Sequence, residues 1–421
     1  MTYLNAYKYI TASPDDTSTS SNGECLKKLW GLLCNPQRNI KFLRLAGSNG
    51  KTVCAELLMS AYRNSGIKVG CLTTTVRADL RDNIHIDGTP VSYEDIAKYV
   101  EQVYKIAYEL NRSEQSFEGD QGFILTKQEI LLTAALLLFR DNACDFCIIE
   151  SDHKHADPTV FLPPPFFVAI CGAIPCNCKE DIYMIRSYIS HGIQEIVSAP
   201  QDQDAYRIIS DTCAAVSCRL TIPTRTKLEI RKLTLGGSEF SYKSVDYKIG
   251  LCGKFQINNA IFVIELLDRL YSRGYGIPED KIKSTLSSIK IPAKFEIISI
   301  MPTIIADSTH SEVAISTVCE SMSDFRNVIG SRVRLCLPEG DIVDNYIKTL
   351  TEQNYSISKI FVSSTSTESD ERNEQIIPCK RIKELVKRVL EGLEKDEILL
   401  ISGPSSFTLE VRYALLERMG F

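Results

Sequence analysis

One short segment, residues 47–52, limits what this chain can fold into more than any other. Its residues are Gly47, Ser48, Asn49, Gly50, Lys51 and Thr52. An apolar run at 40–45 predicts a strand before the segment, and a helical pattern at 53–64 predicts a helix after it. The glycines let the backbone bend sharply and approach phosphate oxygens, and the N–H groups at the helix start attract anions. We therefore predict a phosphate-binding turn in an α/β fold.

Lys51 and Thr52 supply the chemistry of this turn. The Lys51 ammonium is expected to reach the terminal phosphates of a ligand, and the Thr52 hydroxyl is expected to ligate Mg²⁺. The segment is a shortened P-loop pattern, because the first glycine of the full pattern would fall at Leu45. The alternative is a glycine-rich turn that only joins a strand to a helix.

Length and composition exclude several classes of protein. With 421 residues the chain is expected to form two or three domains, and 44% hydrophobic and 24% charged residues are typical of a soluble globular protein. A formal net charge of −5 argues against a general nucleic-acid binder. The longest apolar segment, 131–139, is too short to span a bilayer, and the start of the chain has no secretion signal. We expect a cytoplasmic protein that binds neither nucleic acid nor membrane.

The chain has fifteen cysteines, which we expect to be reduced and mostly buried. Cys144 and Cys147 have a spacing that occurs in zinc sites. They flank and enter a strand pattern at 145–149, where alternating side chains would not converge on one metal. We therefore expect no zinc at this pair.

The pattern of elements divides the chain into three parts. Residues 1–39 predict an N-terminal helical segment, and from residue 40 short apolar runs alternate with helical patterns, as in a parallel α/β sheet. Residues 216–250 differ, because short alternating segments around Gly236 and Gly237 indicate a hairpin-like β patch. A break at Pro292 is followed by a second, smaller set of alternating strands and helices. The predicted parts are therefore 1–39, 40–291 and 292–421.

Acidic residues end two of the predicted strands. Glu150 closes the run at 146–149, where a carboxylate beside a phosphate turn is the expected partner of Mg²⁺. Asp307 follows the run at 303–306, and His310 comes three residues later. The aspartate could accept hydrogen bonds from a ribose and the histidine could contact phosphate. A solvated acid at a strand end and a histidine in a loop or core are the alternatives.

Gln256 and Asn259 lie at the start of a predicted helix, where their amides could bind a purine edge or cap the helix. Lys294 follows the break at Pro292 and could face a phosphate, although most single lysines are surface residues.

These positions, in this order, resemble the folylpolyglutamate synthase branch of the Mur ligase superfamily along nearly the whole chain. The turn at 47–52 looks like that family's phosphate loop, and the segment at 68–74 is similar to a strand whose final serine ligates metal, a role that passes to Thr74. The segment at 126–129 falls near the family's pterin site. The other matched positions are Glu150 for metal, Gln256 and Asn259 for nucleotide, Lys294 in place of an arginine that contacts ATP, and Asp307 with His310.

The resemblance implies a P-loop central domain with a parallel sheet and a smaller C-terminal Rossmann-like α/β domain. It also implies a ligase that uses ATP and Mg²⁺ to join L-glutamate to a reduced folate through an acyl phosphate. Lys51, Glu150 and His310 would be its catalytic residues, and Thr52, Thr74 and Glu150 its metal ligands. The family is largely monomeric, so a monomer is expected.

The chain departs from the family pattern at three places near the acceptor and the second metal. The glycines that follow the metal-binding glutamate are missing at 151–159, a metal-binding histidine is missing at 173–178, and Ser190 stands where the family carbamylates a lysine. His153, His155 or His191 could replace the lost ligand. Two alternatives therefore stay open: a Mur-type ligase acting on a non-folate carboxylate, and a catalytically degenerate paralogue that binds nucleotide.

Overall fold

A computed structural model describes residues 1–14, 23–73, 79–114, 123–151, 157–174, 176, 179–309, 311–364 and 376–420, with the backbone alone at 113, 114 and 180. The chain divides into two compact units. The first comprises Met1–Pro223 and Phe262–Ile282, and the second comprises Thr224–Ile261 and Lys283–Phe421. The three-part division at residues 39 and 291 stays a prediction.

The first unit is built from helices and short strands that alternate along most of its length. Its helices are α1 (Tyr3–Ala12), α2 (Glu24–Leu32), α3 (Lys51–Tyr62), α4 (Tyr93–Glu114), α5 (Lys127–Asp141), α6 (Lys179–Tyr188) and α7 (Gln203–Ala215). Its strands are β1 (Phe42–Gly47), β2 (Val69–Leu72), β3 (Ile84–Ile86), β4 (Thr89–Pro90), β5 (Phe146–Glu150), β6 (Phe167–Cys171), β7 (Glu195–Ser198) and β8 (Arg219–Thr221).

These strands form one sheet with the order β4-β3-β2-β5-β1-β6-β7-β8. The strands from β2 to β8 in this order run parallel, whereas β3 and β4 add an antiparallel edge. Strand β1 therefore lies in the middle, with β5 on one side and β6 on the other. Because parallel strands end at the same edge, the turn after β1 is flanked by the residues that end β5 and β6.

Two local signals explain where the long helices of this unit begin. The Ser92 hydroxyl accepts a hydrogen bond from the Asp95 N–H at 3.0 Å and so caps the start of α4. At the start of α5, Thr126 and Glu129 form a reciprocal capping box. Helix α5 is buried along most of its length and packs with the N-terminal helices in one apolar cluster.

The second unit contains the remaining strands and most of the remaining helices. Its strands are β9 (Leu228–Thr234), β10 (Gly237–Tyr242), β11 (Val245–Ile249), β12 (Glu296–Ile300), β13 (Thr303–Asp307), β14 (Arg332–Pro338), β15 (Ser356–Ser363), β16 (Ile376–Cys379) and β17 (Glu397–Ser402). The helices that follow α7 are α8 (Lys254–Tyr271), α9 (Glu279–Ser288), α10 (Glu312–Asp324), α11 (Arg326–Ile329), α12 (Ile342–Glu352), α13 (Ile382–Leu390) and α14 (Ser405–Met419). Helices α8 and α9 contain residues of both units.

Strands β9–β11 form an antiparallel sheet in the order β11-β10-β9, which confirms the predicted hairpin-like patch. The other sheet has the order β12-β13-β17-β14-β15-β16, parallel except for the β12–β13 hairpin. Apolar clusters cover both of its faces, one with α10 and α12 and the other with α13 and α14. The predicted α/β class is confirmed, with a parallel sheet in each unit. Among the described residues, none of the helices combines the length and the apolar character that crossing a membrane requires.

The single tryptophan of the chain connects the N-terminal helices to α5, and this contact generates a stability prediction. The buried Trp30 indole N–H donates to the Thr133 hydroxyl at 3.0 Å. A Thr133→Val substitution keeps the volume but leaves the indole N–H without its acceptor, so it should lower the free energy of unfolding by about 1–3 kcal/mol. Urea unfolding followed by Trp30 fluorescence measures the change. The exposed Thr89→Val substitution is the control, and equal costs at both positions would contradict the prediction.

Candidate functional site

The turn after β1 is held in a conformation that requires glycine. Gly47 has a φ of +111° and Gly50 a φ of +85°. A Cβ atom on Gly47 would lie 2.0 Å from the carbonyl oxygen of Cys171, at the end of β6. The backbone of the turn therefore passes against the neighbouring strand end with no space for a side chain. This close approach fixes where the following helix begins.

The predicted cation of the turn folds back over it. Lys51, the first residue of α3, is buried, and its ammonium donates a hydrogen bond to the Gly47 carbonyl at 2.7 Å. Thr52 is half-buried in the first helical turn. Among the described residues, no side chain caps the start of α3 and no acidic residue lies in its first turn. The helix start thus presents N–H groups and a positive dipole end, which suit an anion.

A second segment forms a wall against the turn. Gly172, directly after β6, has a φ of +68°, and a Cβ atom there would lie 2.8 Å from the carbonyl oxygen of Asn49. The Ser48 hydroxyl donates to the carbonyl of Ala173 in the same segment. Two chain segments thus meet through backbone atoms on both sides, which limits how far either one can move.

The Gln201 side chain connects this wall to the end of the next strand, β7. Its amide nitrogen donates to the Gly172 carbonyl at 2.8 Å and to the Ala199 carbonyl at 3.1 Å. Its amide oxygen accepts from the Ile174 N–H at 2.8 Å. Because one side chain binds both strand ends, it fixes the position of the wall relative to the phosphate turn.

Glu150 ends β5 on the other side of β1, and the register pairs it with Leu45. Its side chain is buried. Burial raises the pKa of the Cys171 thiol well above its usual value, and a hydrogen bond with Cys54 raises it further. The negative charge of Glu150 also raises this pKa, whereas the positive charge of Lys51 lowers it. Both charges act on one thiol, so the structure brings the Lys51 ammonium and the Glu150 carboxylate to the same end of the sheet.

A buried polar network follows Glu150. The Ser151 hydroxyl contacts Asp157 and lies 2.9 Å from the Thr159 hydroxyl, while the Arg44 guanidinium on β1 donates to the Thr159 carbonyl at 2.8 Å. Burial raises the pKa of Asp157, and hydrogen bonds from Ser151 and Thr159 and the Arg44 charge oppose the rise. Burial likewise lowers the pKa of Arg44. This network anchors the segment after β5 to the central strand.

A narrow cavity adjoins this network. It is lined by Leu72, Thr73, Gln128, Leu131, Leu132, Asp157, Pro158 and Thr159. Its volume of about 10 Å³ is the space of a single water molecule. Four of these eight residues are apolar and four are polar, so the cavity combines the two kinds of lining found in small-molecule pockets.

In the second unit, three predicted positions form a chain of contacts. The Asn259 amide donates to the Gln256 amide oxygen at 3.0 Å, and the Gln256 amide donates to the Lys294 carbonyl at 3.2 Å. Gln256 is fully buried. The two amides at the start of α8 therefore support the backbone of Lys294 in this structure.

Lys294 lies in a strained turn, because Ala293 and Phe295 on either side both have a φ of +54°. Each left-handed residue costs about 1–2 kcal/mol. Asp307, at the end of β13, accepts a hydrogen bond from the Phe295 N–H at 2.7 Å. Burial raises the pKa of Asp307, whereas the nearby Lys294 charge and hydrogen bonds from Thr309 and the Phe295 N–H lower it. Lys294 and Asp307 are therefore close neighbours.

Comparisons with known proteins find relatives in sequence and in fold. No family model matches the chain. It is 23% identical over 412 residues to the dihydrofolate synthase/folylpolyglutamate synthase of Bacillus subtilis, covering 93% of this chain and 94% of that protein. It is 23% identical over 341 residues to the folylpolyglutamate synthase of Lacticaseibacillus casei, covering 77% of each. The chain is therefore similar in sequence to folylpolyglutamate synthases over most of its length. A solved FPGS–AMPPCP–folate complex shares the fold, with a TM-score of 0.80 at 18% identity over 99% of this chain and all of that one.

The predicted site residues of this chain fall into two groups within the described residues. The first unit brings together Lys51, Thr52 and Glu150 at the turn, and the second unit brings together Gln256, Asn259, Lys294 and Asp307. Thr74 and His310 lie outside the described residues, as do His153 and His155. His191 is exposed between α6 and β7.

Two residues beside the turn at 47–52 were not predicted from the sequence. Gly172 follows β6 directly and Gln201 lies three residues after β7, and a glycine and a glutamine past two buried strands are the signal for them. Within the described ranges, no group of three or more potential metal ligands is found.

The contact between Gly47 and Cys171 predicts a specific stability difference. Gly66 is a matched control, because it also has a positive φ, +86°, but its Cβ position has no neighbour within 4 Å. A Gly66→Ala substitution should cost about 1 kcal/mol of unfolding free energy, which is the left-handed penalty alone. Gly47→Ala should cost at least about 2 kcal/mol more, because the methyl group meets a backbone carbonyl. Urea unfolding followed by Trp30 fluorescence compares the two, and similar costs would refute the tight contact.

Proposed function

We propose that this chain is an ATP-dependent ligase that forms an amide bond between L-glutamate and a carboxylate of a reduced folate or folyl-glutamate. The observation that carries the proposal is the phosphate turn, in which the buried Lys51 ammonium lies over Gly47 at the same sheet end as Glu150. The curated relatives are named dihydrofolate and folylpolyglutamate synthases, and one related structure holds AMPPCP and folate. The catalytic residues proposed are Lys51, Glu150 and His310.

The phosphate turn binds the triphosphate of ATP in this proposal. Backbone N–H groups of 47–52 and the start of α3 contact phosphate oxygens, and Lys51 moves from the Gly47 carbonyl to the terminal phosphates. In its new position the ammonium stabilises the negative charge that develops on the transferring phosphoryl group. The wall at Gly172 and Gln201 keeps the turn in shape while Lys51 exchanges partners.

The chemical steps form one acyl phosphate and consume it. A carboxylate oxygen of the folate attacks the terminal phosphorus of ATP, and the bond to ADP breaks. The amine of L-glutamate then attacks the acyl carbon, loses a proton, and displaces inorganic phosphate. An acyl phosphate is also open to attack by water, so a buried site is needed to protect it.

Mg²⁺ suits the donors that the first unit offers. The Thr52 hydroxyl and the buried Glu150 carboxylate are hard oxygen ligands, the type that Mg²⁺ prefers, and both lie at the phosphate turn. We propose that these residues, with Thr74, hold the ion. When bound, it neutralises phosphate charge and orients the terminal phosphate.

The residues of the second unit are proposed as nucleotide contacts on the basis of the resemblance and of their mutual packing. Gln256 and Asn259 are assigned to the base, Asp307 to the ribose, and Lys294 to a phosphate. Their shared support is the chain of contacts from Asn259 through Gln256 to the Lys294 carbonyl. We also propose a cytoplasmic monomer, as the resemblance implies.

A second candidate is a ligase of the same mechanism that acts on a non-folate carboxylate. The cavity beside Asp157 favours it, because a space of about 10 Å³ holds no ring unless its walls move apart. Ser151, Asp157 and Thr159 of the polar network lie in the segment 151–159, where the resemblance expects glycines. The two candidates differ only in the acceptor, so a screen of carboxylic acids separates them. A nucleotide-binding paralogue without activity would give no product with any acid.

The activity prediction uses purified protein with MgATP, tetrahydrofolate and L-glutamate. The expected result is ADP together with a folate heavier by one glutamyl residue, measured by mass spectrometry. Lys51→Ala should lower turnover by at least about a hundredfold, because the transferring phosphoryl group loses its cation. Lys105→Ala, at an exposed lysine on α4, is the control and should be fully active. Undiminished turnover in Lys51→Ala would remove the turn from the mechanism.

The proposed metal ligand has its own prediction. Glu150→Gln keeps the shape of the side chain but removes its charge, so half-maximal turnover should require at least about ten times more Mg²⁺. Glu195→Gln is the matched control, because Glu195 is also a buried carboxylate but begins β7 and accepts a hydrogen bond from Arg273. Titration of activity against Mg²⁺ gives both values. Identical Mg²⁺ requirements in wild type and Glu150→Gln would place the metal elsewhere.

A further inference from the structure

The strained turn around Lys294 is held by side chains from several segments. The Ala293 carbonyl accepts hydrogen bonds from the N–H of Ser308 at 2.8 Å and from its hydroxyl at 2.9 Å. The N–H of Phe295 donates to Asp307, and the carbonyl of Lys294 accepts from Gln256. Left-handed backbone at two non-glycine residues persists only where surrounding contacts impose it. Such strain often occurs where a side chain must be aimed.

The remaining contact of the turn comes from Glu296, which begins β12. Its Oε2 atom accepts a hydrogen bond from the Ala293 N–H at 2.9 Å. Arg412, on the distant helix α14, holds the same carboxylate with two hydrogen bonds, Nε to Oε2 at 2.6 Å and Nη2 to Oε1 at 2.7 Å. Both side chains are mostly buried, with 13% of Arg412 and 24% of Glu296 exposed. A bidentate pair of this kind fixes orientation as well as distance.

The Arg412–Glu296 pair does more than neutralise two charges. Elsewhere in the same unit, Arg332 and Glu394 form an exposed ion pair at 2.6 Å in which both side chains are about half exposed. In contrast, Glu296 uses one oxygen both for Arg412 and for the backbone N–H that precedes Lys294. The Arg412–Glu296 pair therefore restrains the turn from one side, and Asp307 with Ser308 restrains it from the other.

We propose that Glu296 and Arg412 are positioning residues for Lys294, holding the 293–295 turn in the left-handed conformation that aims the Lys294 ammonium at a phosphate of the nucleotide. The inference rests on the proposed function, because it takes Lys294 to be a nucleotide contact. It assigns a binding role to two residues that contact no ligand themselves. The affinity of Lys294 for phosphate then depends on a side chain more than a hundred residues away in the sequence.

The test measures the affinity of the full chain for MgADP by displacement of a fluorescent ADP analogue. Lys294→Ala should raise the dissociation constant by about tenfold or more, as expected for loss of a charged hydrogen bond. Glu296→Ala and Arg412→Met should each raise the dissociation constant by about fivefold or more. Without the pair, the Lys294 side chain samples several orientations, and only one of them reaches the phosphate. Arg412→Lys, which retains one of the two hydrogen bonds, should fall between wild type and Arg412→Met.

A double variant separates positioning from a general loss of structure. If Glu296 acts through Lys294, then Glu296→Ala should have no further effect on affinity in a Lys294→Ala background. Arg332→Met is the control, because it removes an ion pair of the same unit that does not contact the turn. Its affinity should equal that of the wild type, and thermal unfolding confirms that each variant is folded.

Three results would overturn the inference. Wild-type affinity in both Glu296→Ala and Arg412→Met would show that the turn needs no support from the pair. If Glu296→Ala weakened MgADP binding by the same factor in the wild type and in Lys294→Ala, Glu296 would act on binding by a route that does not involve Lys294. Wild-type affinity in Lys294→Ala would show that Lys294 does not contribute to nucleotide binding. Absence of MgADP binding by the wild type would instead overturn the proposed function itself, so the two failures are distinguishable.

Discussion

The close approach of the Gly47 backbone to the Cys171 carbonyl is the constraint on which the first unit depends. A position with no room for a Cβ atom fixes the exit of β1 against β6, and thereby fixes where α3 starts. Lys51 and Thr52 are the first two residues of that helix, so their side chains take their places from this contact. Glu150 reaches the same sheet end through its register with Leu45 on the other side of β1. Two strand pairings and one glycine therefore assemble a cation, a hydroxyl and a carboxylate at a helix start.

In the second unit, side-chain hydrogen bonds instead of glycine hold a turn in a left-handed conformation. Ala293 and Phe295 adopt left-handed backbone conformations without the freedom of glycine, and hydrogen bonds from Glu296, Asp307 and Ser308 hold them there. Glycine makes a tight turn inexpensive but leaves it mobile in the unfolded chain, whereas a bonded non-glycine turn is strained but rigid. In the proposed mechanism the turn at 47–52 lets Lys51 change partners, whereas the turn around Lys294 holds one direction. The two devices fit these different needs.

Much of the fold follows from local sequence, and the parts that do not follow are long-range. The strands that carry Glu150 and Asp307 were predicted because hydrophobic runs act over a few positions. The motif at 47–52 predicted the phosphate turn for the same reason.

The bidentate contact between Glu296 and Arg412 joins residues 116 positions apart, and the bonds of Gln201 depend on strand order, so neither has a local signature. Family resemblance supplied the roles of single residues such as Lys294, which composition and spacing alone left open.

In the proposed mechanism, the turn at 47–52 poises ATP for transfer of its terminal phosphoryl group to a carboxylate. Transfer of a heavy-oxygen label tests this claim most directly. Folate labelled in its side-chain carboxylate is allowed to react with MgATP and L-glutamate, and the inorganic phosphate released is analysed by mass spectrometry. The account predicts that one labelled oxygen appears in phosphate for each amide bond formed, because the acyl phosphate breaks at its carbon–oxygen bond. Formation of the amide with unlabelled phosphate would contradict the acyl-phosphate route and the role given to this turn.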